Sequence, residues 1–119
     1  MKSIMVWLDI PVSDLDRAIR FYSKVLGIQV KKEEFPGMKI AVFHPGEDQS
    51  AGCLFESEDP IRNENGPLVY FRANNRLDEA LSLVESLGGK IQQPKHAIGP
   101  YGFRAIIIDS EGNRIALHS

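Results

Sequence analysis

Leu15-Asp16-Arg17-Ala18-Ile19 returns as Leu77-Asp78-Glu79-Ala80-Leu81, and Leu26-Gly27 closes the first copy much as Gly88-Gly89 closes the second. This repeat decides the architecture, because it aligns the chain on itself by helix start and helix stop. In the first copy Leu15, Ala18, Ile19, Tyr22 and Leu26 recur at helical spacing. Ser13, with Asp16 three residues later, resembles a capping box with Asp in place of Glu, and Gly27 supplies a left-handed stop. In the second copy Leu77, Ala80, Leu81, Val84 and Leu87 form the apolar stripe, Asn75 is the expected cap, and Gly88 or Gly89 closes the helix. Both helices are amphipathic, so each must lie on something.

The flanking segments say what that is. Each helix follows one strand-like run (residues 4–10 and 68–73) and precedes three: 29–33, 39–44 and 51–56 in the first copy, 90–93, 103–109 and 114–118 in the second. Pro36-Gly37, Pro45-Gly46, Gly99-Pro100 and Glu111-Gly112-Asn113 punctuate these runs as turns. Residues 58–66 are polar, largely acidic and without periodicity, which reads as a linker. The expectation is one α+β domain of two βαβββ modules, spanning about 1–57 and 67–119.

Composition narrows the partners. A chain of 119 residues that is 43% hydrophobic can bury one sizeable core, and a second independent domain is not expected. Fourteen Lys and Arg against 16 Asp and Glu, with no basic run carrying aromatics, lack the footprint of a nucleic-acid binder. The first ten residues are too short an apolar run for a signal peptide or a membrane span, so a cytoplasmic location without membrane attachment is expected. The lone Cys53 cannot form an internal disulfide and fits a reducing compartment.

Strand alternation then separates two faces. Val6, Leu8 and Ile10 oppose Met5, Trp7 and Asp9; Val69 and Phe71 oppose Leu68, Tyr70 and Arg72; Ile115 and Leu117 oppose Arg114, Ala116 and His118. One face is apolar and suits the helices. The other mixes aromatic and ionisable groups, as either a solvated face or the wall of a pocket would. Trp7 and Tyr70 favour the pocket.

These residues carry a further pattern. A strand followed by Pro11-Val12-Ser13-Asp14-Leu15, then Ala18-Ile19-Arg20-Phe21-Tyr22 and Val25-Leu26-Gly27, with Asp109-Ser110-Glu111-Gly112-Asn113-Arg114-Ile115 near the end, resembles the vicinal oxygen chelate superfamily. That group includes glyoxalase I, extradiol dioxygenases, fosfomycin-resistance enzymes and bleomycin-resistance binding proteins. The resemblance covers the whole chain. It implies two βαβββ modules whose mixed sheet curls around a cup-shaped cavity, and a homodimer. Because this fold hosts several chemistries, the resemblance specifies architecture more than activity.

In similar enzymes a divalent metal sits in the cup on His, Gln or Glu side chains from the first, fourth, fifth and eighth strands. The corresponding positions here are Trp7, Cys53 or Leu54, Leu68 within one residue, and Ala116. Apart from Cys53 none is a ligand, and one thiolate does not hold a hard cation that wants oxygen and imidazole donors. Three scattered histidines, His44, His96 and His118, offer no replacement spacing. No metal and no cofactor is therefore expected.

Asp9 and His118 are the candidate catalytic pair. Alternation turns both toward the cup, where a carboxylate could orient an imidazole for proton transfer; otherwise they are a turn-capping carboxylate and a residue at a fraying end. The candidate ligand-binding residues are Trp7, Tyr70, Arg72, Lys95 and Tyr101. Trp7 and Tyr70 offer flat apolar walls or ordinary core packing. Arg72 pairs with Asp9 or faces solvent. Lys95 and Tyr101 lie in the segment 94–102, which reads either as a lid or as a solvated loop. The functional reading is a small-molecule-binding protein with a metal-free cup. The alternatives are a metal-independent lyase or isomerase using Asp9 and His118, and an interaction module whose cup is filled by its own side chains.

Overall fold

The computed structural model describes residues 5, 7–46, 51–61 and 66–119, without the side chain of Phe35. Ile4 and Val6, part of the first expected strand, lie outside them. The first module runs β1 (Leu8–Val12), α1 (Leu15–Leu26), β2 (Gln29–Phe35), β3 (Met38–His44) and β4 (Gly52–Glu56). The second runs β5 (Val69–Arg72), α2 (Leu77–Val84), β6 (Lys90–Ala97), β7 (Phe103–Ile108) and β8 (Arg114–His118). The sheets have strand orders β1-β4-β3-β2 and β5-β8-β7-β6, so the repeat extends to topology. In each, the first strand pairs parallel to the last and the other pairings are antiparallel.

The helix ends differ from the expected caps in an informative way. Asp14, not Ser13, caps α1: its carboxylate accepts from the Arg17 N–H at 3.1 Å, and Gly27 at φ 66° ends the helix. Ser13 instead donates from both its N–H and its hydroxyl to Glu111 in the other module. Asn75 does not cap α2. Asn74 and Asn75 both take left-handed conformations, which Asn tolerates better than most residues, and Arg76 stands at the cap position. The Arg76 guanidinium reaches across to donate to the Val25 carbonyl at 3.0 Å, satisfying an open end of α1.

The modules share one core. Ile10, Val12, Leu54 and Phe43 from the first sheet, Ile107, Ile115 and Leu117 from the second, and Phe21, Tyr22, Ala80 and Val84 from the helices form one buried cluster. Ile40, Val42 and Cys53 make a separate small cluster on the opposite face of the first sheet. Among the described residues no helix is long and apolar enough to cross a membrane.

Gly89 has no room for a side chain, and Phe21 of the first module is among the atoms that fill the space around it. A Cβ there would stand 2.6 Å from the Ile108 carbonyl oxygen and 2.9 Å from both Phe21 and Val84 side-chain carbons. Backbone oxygen cannot yield as a flexible side chain can. Gly89→Ala is expected to lower unfolding free energy by about 1–3 kcal/mol in denaturant titration; a loss of under about 0.5 kcal/mol would show slack at this junction.

The segment 94–102 is less loop than its composition suggests. Strand β6 continues to Ala97, with His96 opposite Arg104 and Ala97 opposite Phe103, and only a short turn at Gly99–Tyr101 remains. Pro94 is accommodated because β6 is an edge strand whose register shifts between Gln93 and His96.

Candidate functional site

Where the start of β1 and the end of β3 approach β5, a hollow of about 360 Å³ opens between the sheets. Its walls include Trp7, Leu26, Phe43, Tyr70, Phe71 and Arg72. Phe43 and Phe71 pack with centroids 5.7 Å apart and close the bottom against buried Tyr22. Trp7 is 45% exposed and Tyr70 46% exposed, so both aromatic faces are open to an occupant. A second depression of about 450 Å³ adjoins, sharing Tyr70, Phe71 and Arg72 and adding Ile98, Tyr101 and His118.

The structure brings together some of the residues singled out from sequence. Trp7, Tyr70 and Arg72 line the hollow, and Tyr101 and His118 line its neighbour. His118 stands edge-on to Tyr70, centroids 6.5 Å apart, and donates from Nε2 to the Tyr101 carbonyl oxygen. Asp9 lines neither depression. Its Oδ1 accepts from the Trp7 indole N–H at 2.8 Å and from the Cys53 thiol at 3.3 Å, so the carboxylate fixes the tryptophan at the rim. Among the described residues no hydrogen bond or ion pair joins Asp9 to His118 or to Arg72. Lys95 lies in a different depression, 3.2 Å from the Asp78 carboxylate and over the Phe103 ring.

Sequence reasoning passed over Phe71, Phe43 and Arg104. Arg104 donates to the Tyr70 hydroxyl and, at 3.0 Å, to His96 Nε2. Alternation placed Phe71 correctly on the helix-facing side, but the hollow sits at the end of the sheets, where that side also opens. Arg104 carried no local signal; only its register opposite His118 puts it beside the site.

The donor chemistry at the superfamily's metal positions does not suit a divalent cation. Trp7 offers an indole N–H already held by Asp9, and the Ala116 methyl is fully buried. Burial and the bond to Asp9 push the Cys53 thiol up to about 11, so it is protonated at neutral pH. Protonated thiol, indole and methyl are not ligands for a cation that needs oxygen or imidazole donors.

Comparison with known proteins agrees with the topology. A sequence model of the Glyoxalase/Bleomycin resistance protein/Dioxygenase superfamily matches residues 4–117. No curated protein matches the chain in sequence. A fosfomycin resistance protein of Listeria monocytogenes, solved with Mn(II) and dihydroxypropylphosphonic acid, superposes with a TM-score of 0.72 at 16% identity, over 99% of this chain and 93% of that one. A glyoxylase/bleomycin resistance protein/dioxygenase domain from Frankia gives 0.72 at 18% identity, over 99% and 98%. Glyoxalase I of Zea mays gives 0.67 at 22% identity, covering 95% of this chain and 45% of the larger maize chain.

Proposed function

The chain belongs to the glyoxalase/bleomycin resistance protein/dioxygenase superfamily, and from that premise we propose that it binds a small molecule in the aromatic hollow between its sheets, with no divalent metal at the superfamily's usual positions. One observation carries the reading: a hollow of about 360 Å³, walled by Trp7, Tyr70, Phe43 and Phe71, with one guanidinium at its edge. That volume falls within the range of small-molecule sites, and an apolar lining with few polar groups is their usual composition. The engagement of Asp9 by Trp7 and Cys53 supports binding over proton transfer, since a general base must be free to meet a substrate proton.

Trp7 is the chain's only tryptophan, so tryptophan emission, excited selectively over the three tyrosines, reads this site. Titration with the extract of a producing cell, fractionated by size, is expected to quench or blue-shift Trp7 emission with the small-molecule fraction. Mass spectrometry of the protein then identifies what is bound. A fluorescence response confined to macromolecular fractions would favour an interaction module instead. Dialysis against a chelator is expected to leave the melting temperature unchanged, because a bound metal would stabilise the native state by mass action. A fall of several degrees contradicts metal independence.

Pairing of two copies is part of the proposal, as the family resemblance implies. Light scattering that reports a monomer at micromolar concentration removes that part of the proposal.

A further inference from the structure

One row of residues crosses the entire second sheet. Arg72 on β5 is in register with His118 on β8, His118 with Arg104 on β7, and Arg104 with His96 on β6. Residues in register share a face, so four basic side chains from four strands stand side by side, with Tyr70 beside them. Arg72 and Arg104 each stand opposite His118, so two guanidiniums flank one imidazole on the same face.

None of the ion pairs among the described residues includes Arg72 or Arg104. The Arg104 guanidinium is oriented by neutral groups only: its Nε–H donates to His96 Nε2, whose Nδ1–H donates to the Pro94 carbonyl at 2.8 Å, and another donor goes to the Tyr70 hydroxyl. His118 gives its Nε2–H to the Tyr101 carbonyl, so its Nδ1 donates to an anion only as the imidazolium. Arg72 lines both the aromatic hollow and the depression that contains His118. Guanidinium groups keep their charge at any physiological pH and match the geometry of oxyanions through paired donors.

We propose that the Arg72 and Arg104 guanidiniums, on either side of His118, form an oxyanion-recognition subsite, and that the ligand is an amphipathic anion. A carboxylate, sulfonate or phosphonate rests on the row while its apolar body lies against Trp7, Tyr70 and Phe71. This deepens the binding reading above and rests on it.

Two dyes with a shared body test it: 8-anilinonaphthalene-1-sulfonate, and uncharged N-phenyl-1-naphthylamine, which lacks only the sulfonate. Energy transfer from Trp7 reports occupancy of the hollow by either. The quantity measured is the ratio of their dissociation constants, uncharged over anionic. That ratio is expected to fall about tenfold in Arg72→Gln, to fall in the same direction in Arg104→Gln, and to fall less in Arg72→Lys, which keeps the charge but loses the paired donors. It is also expected to fall at high salt, as the attraction is screened. A ratio unchanged in both Gln variants, with transfer from Trp7 intact, overturns the anion subsite and leaves the hollow standing. Absence of transfer to either dye overturns the binding reading, and the subsite with it.

Discussion

Glu111→Gln is expected to destabilise the fold by about 3–5 kcal/mol at pH 7, because it removes the charge from a buried, fully partnered carboxylate. The Glu111 side chain is wholly inaccessible. Its Oε1 accepts from the Ser13 N–H and hydroxyl and from the Asp14 N–H at 2.9–3.0 Å, and Oε2 accepts from Arg17 Nε at 2.6 Å and the Ser110 hydroxyl at 3.0 Å. The carboxylate thus ties the β7–β8 turn of the second module to the start of α1 in the first. Burial alone would raise its pKa, but the bonds from Arg17, Asp14, Ser13 and Ser110 outweigh burial and hold it at about 2.

A folded-state pKa below the unfolded one means that the unfolded chain binds more protons in between. The contribution is therefore complete above about pH 5 and is lost as pH falls toward 2. On the scale of 1.4 kcal/mol per unit, that loss is about 3 kcal/mol. The stability gap between wild type and Glu111→Gln, measured by urea unfolding, is expected to close across this window. A gap constant from pH 7 to pH 2.5 would mean that the carboxylate is not held as an ion. Asp109 does not confound the comparison. Burial raises its pKa, against the bonds from Tyr22, Asn113 and Glu111, but that shift is present in both proteins.

Phe21→Ala is expected to cost about 3–5 kcal/mol, the range for removing a fully buried aromatic ring. The ring packs edge-on against Tyr22 with centroids 5.3 Å apart, and its far edge reaches the backbone of Gly89 in the other module. The loss therefore falls on the shared core, and unfolding is expected to remain one transition with a lowered midpoint and an unchanged denaturant slope. Two separate transitions would show that the modules unfold independently once this contact is lost, against a single shared core. Combining Phe21→Ala with Gly89→Ala is expected to cost less than the sum, because the cavity receives one of the clashing atoms while the Ile108 carbonyl still obstructs.

Local signals made the repeat legible. Apolar spacing named both helices, Gly27 stopped the first at positive φ while the second gives way to a 3-10 turn at Glu85 that Gly88 closes, and turn residues bounded the strands. Ser13 and Asn75 were misread as caps for the same reason: a residue with several possible partners is decided by what arrives from elsewhere. Glu111 claims Ser13, and the left-handed pair Asn74-Asn75 leaves Arg76 to start α2. The segment 94–102 looked like a loop because Pro and Gly dominate it, yet a bulged edge strand tolerates that composition.

The sequence by itself determined which side chains could meet: period two is a property of the extended backbone, so the faces carrying Trp7, Tyr70, Arg72 and His118 follow from residue types and spacing alone. Tertiary structure decided which of them do. Register between strands depends on pairing across long stretches of chain, and it aligned Arg104 with His118 and Arg72 and set Asp9 beside Cys53, while packing of α2 on β6 carried Lys95 away to Asp78. Contacts between residues far apart in sequence are set when two sheets and two helices close on one core, and no local pattern encodes that closure.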